Sequence, residues 1–150
     1  MIAVIQLVDK ASVSITGQEE SKKHIDLGLL VLLGVSKKDT EKDVSKLVNK
    51  VCKLRVFPDN EKKMNLDINS VHGEILLISQ FTLLGNLQGG NRPDFIAAAD
   101  KPLALKLYQK FSDLLLASNI PVKTGFFGEH MEISTNLCGP VTIILDSAQI

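Results

Sequence analysis

The segment GLLVLLGV, residues 28–35, is an unbroken apolar run and decides the fold. A run of this length without polar residues indicates a strand whose two faces are both buried, as at the centre of a sheet. The segment EILLI at 74–78 has the same character, and we predict a strand over residues 73–83 around it. The core is therefore expected to form around two buried strands that are distant in sequence.

Two amphipathic helices are predicted from apolar residues that recur every three to four positions. The first begins after Asp39 or Thr40, either of which can cap it, and ends before the turn signal at 58–60. Its apolar face consists of Val44, Leu47, Val48, Val51, Cys52 and Leu54. The second begins near Asp100 and carries Pro102 in its first turn. Its apolar face consists of Leu103, Leu107, Tyr108, Phe111, Leu114 and Leu115.

The other segments with strand character are short. They are residues 2–8 and 11–16, joined by the polar pair Asp9-Lys10, and residues 122–126, 130–135 and 140–146. Because strands dominate and each helix has one apolar face to bury, we predict a single α+β domain over residues 1–150. Its sheet would be curved and largely antiparallel, or a partial barrel, with both helices packed on it.

The charge balance argues against a protein that holds nucleic acid mainly by neutralising phosphates. The 150 residues include 17 Lys plus Arg and 17 Asp plus Glu, so the formal net charge is zero. A short contact with one end of a nucleic acid is compatible with this balance. We interpret the lysine pairs at 22–23, 37–38 and 62–63 as solvated turns, because lysine is the usual surface residue.

The two cysteines, Cys52 and Cys138, form no metal-binding or disulfide pattern, because neither CxxC nor HxxxH spacing occurs. We therefore expect no metal and no cofactor. No segment reaches the roughly 18 consecutive apolar residues of a membrane span. The N-terminal MIAVIQLVDK has neither a basic leader nor a small-residue cleavage site. A cytoplasmic location without a membrane partner is the expectation.

Polar residues follow the second buried strand, with Ser79, Gln80 and Thr82 arranged around Phe81. An unpaired polar group at the end of a buried strand costs roughly 1–3 kcal/mol, so each of these groups needs a partner. In a strand, Gln80 and Thr82 would share one face, and Ser79 and Phe81 the other. The amide and the hydroxyl would then orient a substrate or stabilise an oxyanion. The alternative is that these groups connect the strand end to a neighbouring loop.

A second candidate site is Cys138-Gly139-Pro140-Val141-Thr142, a Gly-Pro step beside a strand. Gly139 would let another molecule approach the backbone closely. Pro140 has no N–H, so it leaves carbonyl groups free to bind a ligand. The sequence leaves open whether this bond is trans, as most X–Pro bonds are, or cis.

Other catalytic arrangements are kept as alternatives. Cys138, His130 and Asp146 are the members of a conceivable triad, and a cysteine-dependent hydrolase using Cys138 is one hypothesis. Acidic residues are too dispersed to indicate a pair of catalytic carboxylates. Gly89-Gly90 has neither the spacing nor the following helix of a phosphate-binding loop.

Taken together, these motifs resemble the D-aminoacyl-tRNA deacylase family over nearly the whole chain. The two most specific segments are SQFTL at 79–83 and GPVT at 139–142, in this order and at this separation. Further matching segments are ASV at 11–13, GLLVLLGV at 28–35, KMNL at 63–66, RPDF at 92–95, KTG at 123–125 and FG at 127–128.

The resemblance implies a homodimer that hydrolyses the ester between a D-amino acid and the 3′ end of tRNA, with glycine as a further substrate. The Gly139-Pro140 bond would be cis and would reach into the pocket of the other subunit. Its carbonyl groups would hold the amino group of the substrate and leave no room for an L side chain. Handedness would thus be decided by steric exclusion from rigid backbone.

The resemblance also implies roles for individual residues around the pocket. Gln80 and Thr82, with backbone N–H groups of their strand, would bind the scissile ester, and Ser79 and Phe81 would complete the substrate-binding floor. Water would attack, helped by the terminal ribose hydroxyl. The terminal adenine would be flanked by Phe95, Phe127 and Met131.

The chain is identified as a divergent member because it departs from the family pattern. Leu7 stands where the family has an Arg that helps to lock the cis bond, and Leu137-Cys138 stands in place of Asn-Asp. The loop at 84–91 has no charged residue, whereas the family usually has acidic and basic residues there. These departures motivate an alternative hypothesis, a non-catalytic dimeric module that binds nucleic acid or serves as a scaffold.

Overall fold

The computed structural model describes residues 1–150, which form eight strands, two α-helices and one short 3₁₀ helix. The strands are β1 (Ile2–Ile15), β2 (Gln18–Ile25), β3 (Gly28–Gly34), β4 (Phe57–Pro58), β5 (Met64–Leu66), β6 (Glu74–Ser79), β7 (Val122–Thr124) and β8 (Met131–Asp146). The helices are α1 (Glu41–Cys52), α2 (Lys101–Ala117) and the 3₁₀ helix Phe81–Leu84. None of the helices is both long enough and apolar enough to cross a membrane.

The main sheet is curved and mixed. Its strands follow the order β2-β1-β3-β6-β7, and β8 pairs with the other edge of β1. β1 is antiparallel to all three of its neighbours, whereas β6 is parallel to β3 and β7 is parallel to β6. The ends of the path approach each other, since Lys23 on β2 donates to the Thr124 carbonyl on β7 at 2.8 Å. The predicted α+β fold, a partial barrel with two packed helices, is confirmed.

The alternation of β3 and β6 explains why both sequences are apolar throughout. Leu29, Val31 and Leu33 of β3 point into a cluster of 22 buried residues that lies between the sheet and the helices. Leu30 points the opposite way, into a second cluster of seven buried residues. On β6, Ile75 and Leu77 belong to the first cluster, and Leu76 and Ile78 to the second. Each large side chain buried in this way contributes roughly 1.5–3 kcal/mol to stability.

Both predicted helices are present, the first with one of its two predicted caps and the second beginning after Asp100 as predicted. Thr40 caps α1 in a capping box with Asp43, and Asp100 caps α2, where its side chain accepts from the Leu103 N–H at 3.2 Å. The buried residues of α1 are Val44, Leu47, Val48 and Val51, and the buried apolar residues of α2 are Leu107, Tyr108, Phe111 and Leu115. These faces pack against each other and against the sheet, so the helical periodicity marked the core.

Four details of the strand prediction are wrong. Residues 2–15 form one strand, because β1 passes Asp9 and Lys10 as it changes its neighbour from β3 to β2. Asp9 and Lys10 are exposed residues within a continuous strand and do not mark a turn. The two predicted strands near the end of the chain likewise form one strand, β8. β2 is missing from the prediction because its sequence, QEESKKHI, is polar and mostly exposed. The fourth detail is the end of the predicted strand over 73–83: β6 ends at Ser79, where the candidate active site begins.

Candidate active site

A cleft of about 920 Å³ opens where β6 ends, beside the first turn of α2 and the segment between β7 and β8. Sixteen residues line it, nine of them hydrophobic, so the cleft combines apolar walls with a polar end. Six of the nine residues predicted for the site line this cleft: Ser79, Gln80, Phe81, Thr82, Phe127 and Met131. The other three, Phe95, Gly139 and Pro140, lie elsewhere.

The polar end of β6 turns away from the sheet instead of continuing as a strand. β6 ends at Ser79, and the Gln80 N–H donates to the Leu33 carbonyl at 2.8 Å as the last bond to β3. The chain then enters the 3₁₀ helix, where the Leu83 N–H donates to the Gln80 carbonyl at 3.3 Å. The predicted strand over 73–83 is therefore too long, and the assignment of alternate residues to opposite faces is wrong. Four residues that alternate in polarity fit a tight helical turn as well as a strand.

Gln80 and Thr82 are nevertheless brought together by this turn. The Gln80 Nε2 atom donates a hydrogen bond to Thr82 Oγ1. Because the Thr82 hydroxyl accepts this bond, its own O–H remains able to donate into the cleft. The pair therefore presents both a hydroxyl donor and the amide oxygen of Gln80 at the polar end of the cleft.

Two backbone N–H groups lie beside this pair. Phe81 and Thr82 are the first residues of the 3₁₀ helix, and neither donates to a backbone carbonyl in the surrounding turns. The first N–H groups of a helix have no acceptor within the helix itself. Such unpaired donors can stabilise negative charge that develops on a carbonyl oxygen.

The opposite wall of the cleft is apolar and firmly supported. The Phe126 N–H donates to the Met131 Sδ atom at 3.2 Å, and the Phe127 ring packs against Tyr108 with 5.6 Å between ring centres. The Tyr108 hydroxyl donates to the Leu77 carbonyl at 2.7 Å. Burial raises the pKa of Tyr108 far above its usual value, so this hydroxyl remains a donor. The ring of Phe127 is thus fixed from behind by a buried residue of α2.

Phe95 does not line the cleft itself but contacts Phe81, which does. Its ring meets that of Phe81 edge to face, with 5.0 Å between ring centres and an interplanar angle of 72°. Phe81 is 55% exposed, so one of its faces remains accessible to a flat ligand. Phe95 thereby orients Phe81, and the predicted grouping of Phe95 with Phe127 and Met131 is not seen within the cleft.

The Gly139-Pro140 bond is cis, and the two residues are exposed away from the cleft of their own chain. They belong to an excursion of β8: Thr142 pairs with Gln6 and Leu137 pairs with Val8, so residues 138–141 stand opposite Leu7 alone. Gly139 has a φ of +107°, and a Cβ there would lie 2.8 Å from Val141 Cγ2. Glycine is therefore required at this position by both backbone and space.

The conceivable triad does not form. His130 is bonded through its carbonyl to the Thr16 N–H, while Asp146 pairs with Ile2, so the two lie at opposite ends of β8. Cys138 is eight residues from His130, which is roughly 26 Å along a strand. Cys138 stands opposite Leu7, and Asp146 stands opposite Ile2, so these two are separated by five positions of β1, or roughly 17 Å. Contact with Asp9, together with partial burial, raises the pKa of the Cys138 thiol, which disfavours the thiolate that a nucleophile needs.

The sequence-based reasoning missed three polar residues that line the cleft. They are Lys101 at the start of α2, and Glu129 and His130 ahead of β8. Of these, His130 was considered only as part of the triad. A lysine in the first turn of a helix, where acidic residues are usual, was the available signal for Lys101. No group of three or more His, Cys, Asp or Glu side chains is arranged to hold a metal ion.

Known proteins resemble this chain over almost its full length. A protein from Thermodesulfovibrio yellowstonii named D-aminoacyl-tRNA deacylase is 48% identical over 147 residues, covering 98% of this chain and 99% of its own. A protein of the same name from Nitratiruptor sp. is 47% identical over 150 residues, covering all of both chains. A solved structure described as the c-Myc DNA Unwinding Element Binding Protein superposes with a TM-score of 0.89 at 38% identity, covering 97% of this chain and 98% of its own.

The fold and the cleft, taken with these similarities, define the class of the protein as a deacylase, a hydrolase of ester bonds. The family model described as D-Tyr-tRNA(Tyr) deacylase matches residues 4–146. The chain belongs to this family.

Proposed function

We propose that this protein hydrolyses the ester between a D-amino acid and the 3′ end of tRNA, which returns free tRNA to translation. The observation that carries the proposal is the convergence of the Gln80–Thr82 pair and the free N–H groups of Phe81 and Thr82 on one cleft. The names of the relatives supply the substrate class, since they are D-aminoacyl-tRNA deacylases.

In the proposed reaction, water attacks the carbonyl carbon of the ester. The bond from this carbon to the ribose oxygen breaks, and the ribose hydroxyl leaves with a proton. The N–H groups of Phe81 and Thr82 would stabilise the oxyanion, and Gln80 with the Thr82 hydroxyl would hold the ester in line. Loss of one such donor typically lowers turnover by roughly 10²- to 10³-fold. The neighbouring ribose hydroxyl would assist the water, as the family resemblance implies, and no cysteine lines the cleft to act as a nucleophile instead.

The apolar wall would receive the terminal adenine. Phe127 and Met131 line the cleft on the side opposite the polar end, and Phe81, held by Phe95, has an exposed aromatic face. Base–aromatic stacking contributes roughly 1–3 kcal/mol per base and tolerates any base. The zero net charge of the chain fits recognition of one tRNA end better than recognition of a long duplex.

Handedness would be read by Gly139-Pro140 supplied from a second copy of the chain. The exposed position of these residues, outside their own cleft, supports this role. Leu137 on the same part of β8 is 42% exposed, as expected for a surface that a second subunit covers. Rigid backbone beside the α-carbon of the substrate would leave room for a hydrogen atom but not for an L side chain, so glycyl-tRNA would also be a substrate.

Mixing two impaired variants tests the exchange between subunits. Thr82→Val removes a group from the cleft, and Pro140→Ala removes one from the excursion. In a mixed dimer, one cleft would combine the wild-type Thr82 of one chain with the wild-type Pro140 of the other. Random reassociation in a two-fold dimer should restore about a quarter of wild-type activity. If both groups act within one chain, no mixture exceeds the mean activity of the two variants, and the cross-subunit role is wrong.

Incubation with D-tyrosyl-, L-tyrosyl- and glycyl-tRNA tests the function directly. We expect rapid release of D-tyrosine and glycine, and spontaneous rates only for L-tyrosyl-tRNA. Equal hydrolysis of the two tyrosyl esters would contradict steric selection by handedness, and absence of hydrolysis would contradict the proposed function.

A second candidate is the non-catalytic nucleic-acid-binding module. One observation favours it: the solved structure at 38% identity is described as a DNA-unwinding-element-binding protein. It predicts measurable affinity for tRNA or duplex DNA with no release of amino acid. A binding assay beside the hydrolysis assay separates the two candidates, because only the deacylase changes the acylated fraction of the tRNA.

A further inference from the structure

We propose that the ammonium group of Lys101 binds the phosphate that joins the terminal adenosine of tRNA to the preceding nucleotide. The proposal rests on the proposed function, because it assigns a partner to a group on the wall of the same cleft. Lys101 is the only lysine or arginine among the residues that line the cleft. It would therefore be the residue that recognises the first negative charge of the substrate.

The Lys101 side chain lies over Gly128, on the segment that carries Phe127. A Cβ at Gly128 would stand 3.5 Å from Lys101 Nζ and 3.6 Å from Cε. Gly128 has a φ of +81°, which L side chains rarely adopt, so this surface stays bare. The ammonium group therefore lies next to the aromatic wall proposed to receive the adenine.

This ammonium group has no carboxylate partner. No Asp or Glu oxygen lies within 4.0 Å of Lys101 Nζ, whereas Lys106, five residues further along α2, pairs with Glu41 at 3.3 Å. The other ionisable groups that line the cleft are Glu129 and His130. Glu129 would repel a phosphate, but it forms no ion pair with Lys101 and leaves the cation available.

The position of Lys101 in α2 does not serve the helix. It is the first residue of α2, directly after the capping residue Asp100. The positive end of the helix dipole disfavours a cation there by roughly 0.3–1 kcal/mol. A lysine that is unfavourable for its helix and unpaired on a cleft wall is well suited to bind an anion from outside. Both the ammonium group and the helix end would attract a phosphate.

The chemistry of the substrate determines which anion this is. With the ester at Gln80 and Thr82 and the adenine beside Phe127, the aminoacyl-adenosine itself carries no negative charge. The first anionic group is the phosphate on its 5′ oxygen, which would leave the cleft on the side of Phe127 and Gly128. Lysine binds phosphate as a compact point charge and needs no fixed geometry, which suits a rim position.

Two short substrates that differ only in this phosphate test the proposal. They are 3′-O-D-tyrosyl-adenosine and the same ester carrying a 5′-phosphate. We expect the wild type to hydrolyse the phosphorylated ester with a kcat/KM about three- to tenfold higher, through KM and not kcat. Lys101→Gln should make the two substrates equal, and Lys101→Arg should keep most of the preference. Lys106→Gln, on the same helix but outside the cleft, is the matched control and should behave as the wild type.

Salt dependence with intact D-tyrosyl-tRNA gives a second readout. A lost phosphate contact should reduce the slope of log(kcat/KM) against log salt by roughly 0.7 in Lys101→Gln, but not in Lys106→Gln. The proposal is overturned if the wild type does not distinguish the short substrates, or if Lys101→Gln keeps the preference. If the wild type cleaves only intact tRNA, an unchanged slope in Lys101→Gln overturns it. If it cleaves none of the three, the proposed function itself has failed, and the phosphate contact fails with it.

Discussion

The ammonium group of Lys23 lies 4.1 Å from the centre of the Phe126 ring and donates at 2.8 Å to the Thr124 carbonyl. Lys23 belongs to β2 and Thr124 to β7, the two ends of the strand order of the main sheet. One side chain therefore closes the barrel and fixes the segment that continues into Phe127. Closure of the fold and placement of the cleft wall depend on the same contact.

Replacement of Lys23 by methionine should lower both stability and substrate affinity. Methionine keeps the apolar stem but loses the cation–π contact and the hydrogen bond, and we expect a loss of about 1 kcal/mol in the free energy of unfolding. KM for D-tyrosyl-tRNA should rise because the segment at 124–126, which leads into Phe127, loses one of its contacts. Urea denaturation and steady-state kinetics measure the two effects. Lys22→Met, which loses only an exposed pair with Glu19, is the control, and equal denaturation midpoints for the two variants would contradict the closing role.

Thr82→Val should leave the fold intact and slow the chemical step. The substitution preserves shape but removes the acceptor for Gln80 Nε2 and the hydroxyl donor of the cleft. We expect single-turnover hydrolysis of D-tyrosyl-tRNA to fall by about ten- to a hundredfold with little change in KM. Thr16→Val, an exposed threonine after β1, is the control. A wild-type rate for Thr82→Val would remove Thr82 from the catalytic groups.

Gly139→Ala should abolish or strongly reduce activity while the rest of the fold survives. A Cβ at this position meets Val141 Cγ2 at 2.8 Å and the Val141 nitrogen at 3.0 Å, on a backbone with a φ of +107°. The excursion must shift, and this displaces Gly139-Pro140, the residues proposed to exclude the L side chain. Hydrolysis of D- and L-tyrosyl-tRNA by this variant is compared with that by Gly89→Ala, where a Cβ meets nothing within 4 Å. If both variants act as the wild type, the excursion takes no part in the reaction.

The stability contributed by Asp43 should disappear at acid pH. Partial burial raises the pKa of its carboxyl, but bonds from the Thr40 N–H and from the Ser147 and Thr40 hydroxyls outweigh this effect and lower it below its usual value. A carboxyl whose pKa is lower in the folded state stabilises the fold above its unfolded pKa, and this stability is lost as pH falls through the folded pKa. Asp43→Asn should therefore cost about 1 kcal/mol near pH 7 and much less near pH 3.

Guanidinium denaturation at both pH values measures the difference between Asp43→Asn and the wild type. Asp113→Asn, an exposed position on α2, is the matched control and should change stability at neither pH. A cost for Asp43→Asn that is the same at both pH values would mean that packing, and not the charge of Asp43, accounts for it.

The helices and the two buried strands could be predicted from the sequence because their signals are local. Val44, Leu47, Val48 and Val51 repeat with the period of a helix, and Thr40 stands where a cap is needed. The extent of β1 and β8 could not be predicted in this way. Whether Asp9 lies in a turn or in a strand depends on the presence of β8 beside it, which is more than 120 residues away in sequence.

The candidate site was predictable in part for the same reason. Ser79, Gln80 and Thr82 are polar directly after an apolar strand, and that contrast is visible locally. The turn that brings Gln80 and Thr82 together depends on the hydrogen bond from the Gln80 N–H to Leu33, which the sequence does not reveal. Lys101 gained its significance only from its position over Gly128 in the folded chain, because in the sequence a lysine beside a helix cap does not differ from an ordinary surface residue.

The excursion at 138–141 also bears on aggregation through the exposed edge of β8. β8 is 16 residues long and pairs through one edge with β1 alone, so its other edge is an open template for a foreign strand. The excursion divides this template into two short runs that are out of register with any straight intruder. We therefore expect the same four residues to hinder edge-to-edge pairing of a foreign strand along the whole of β8.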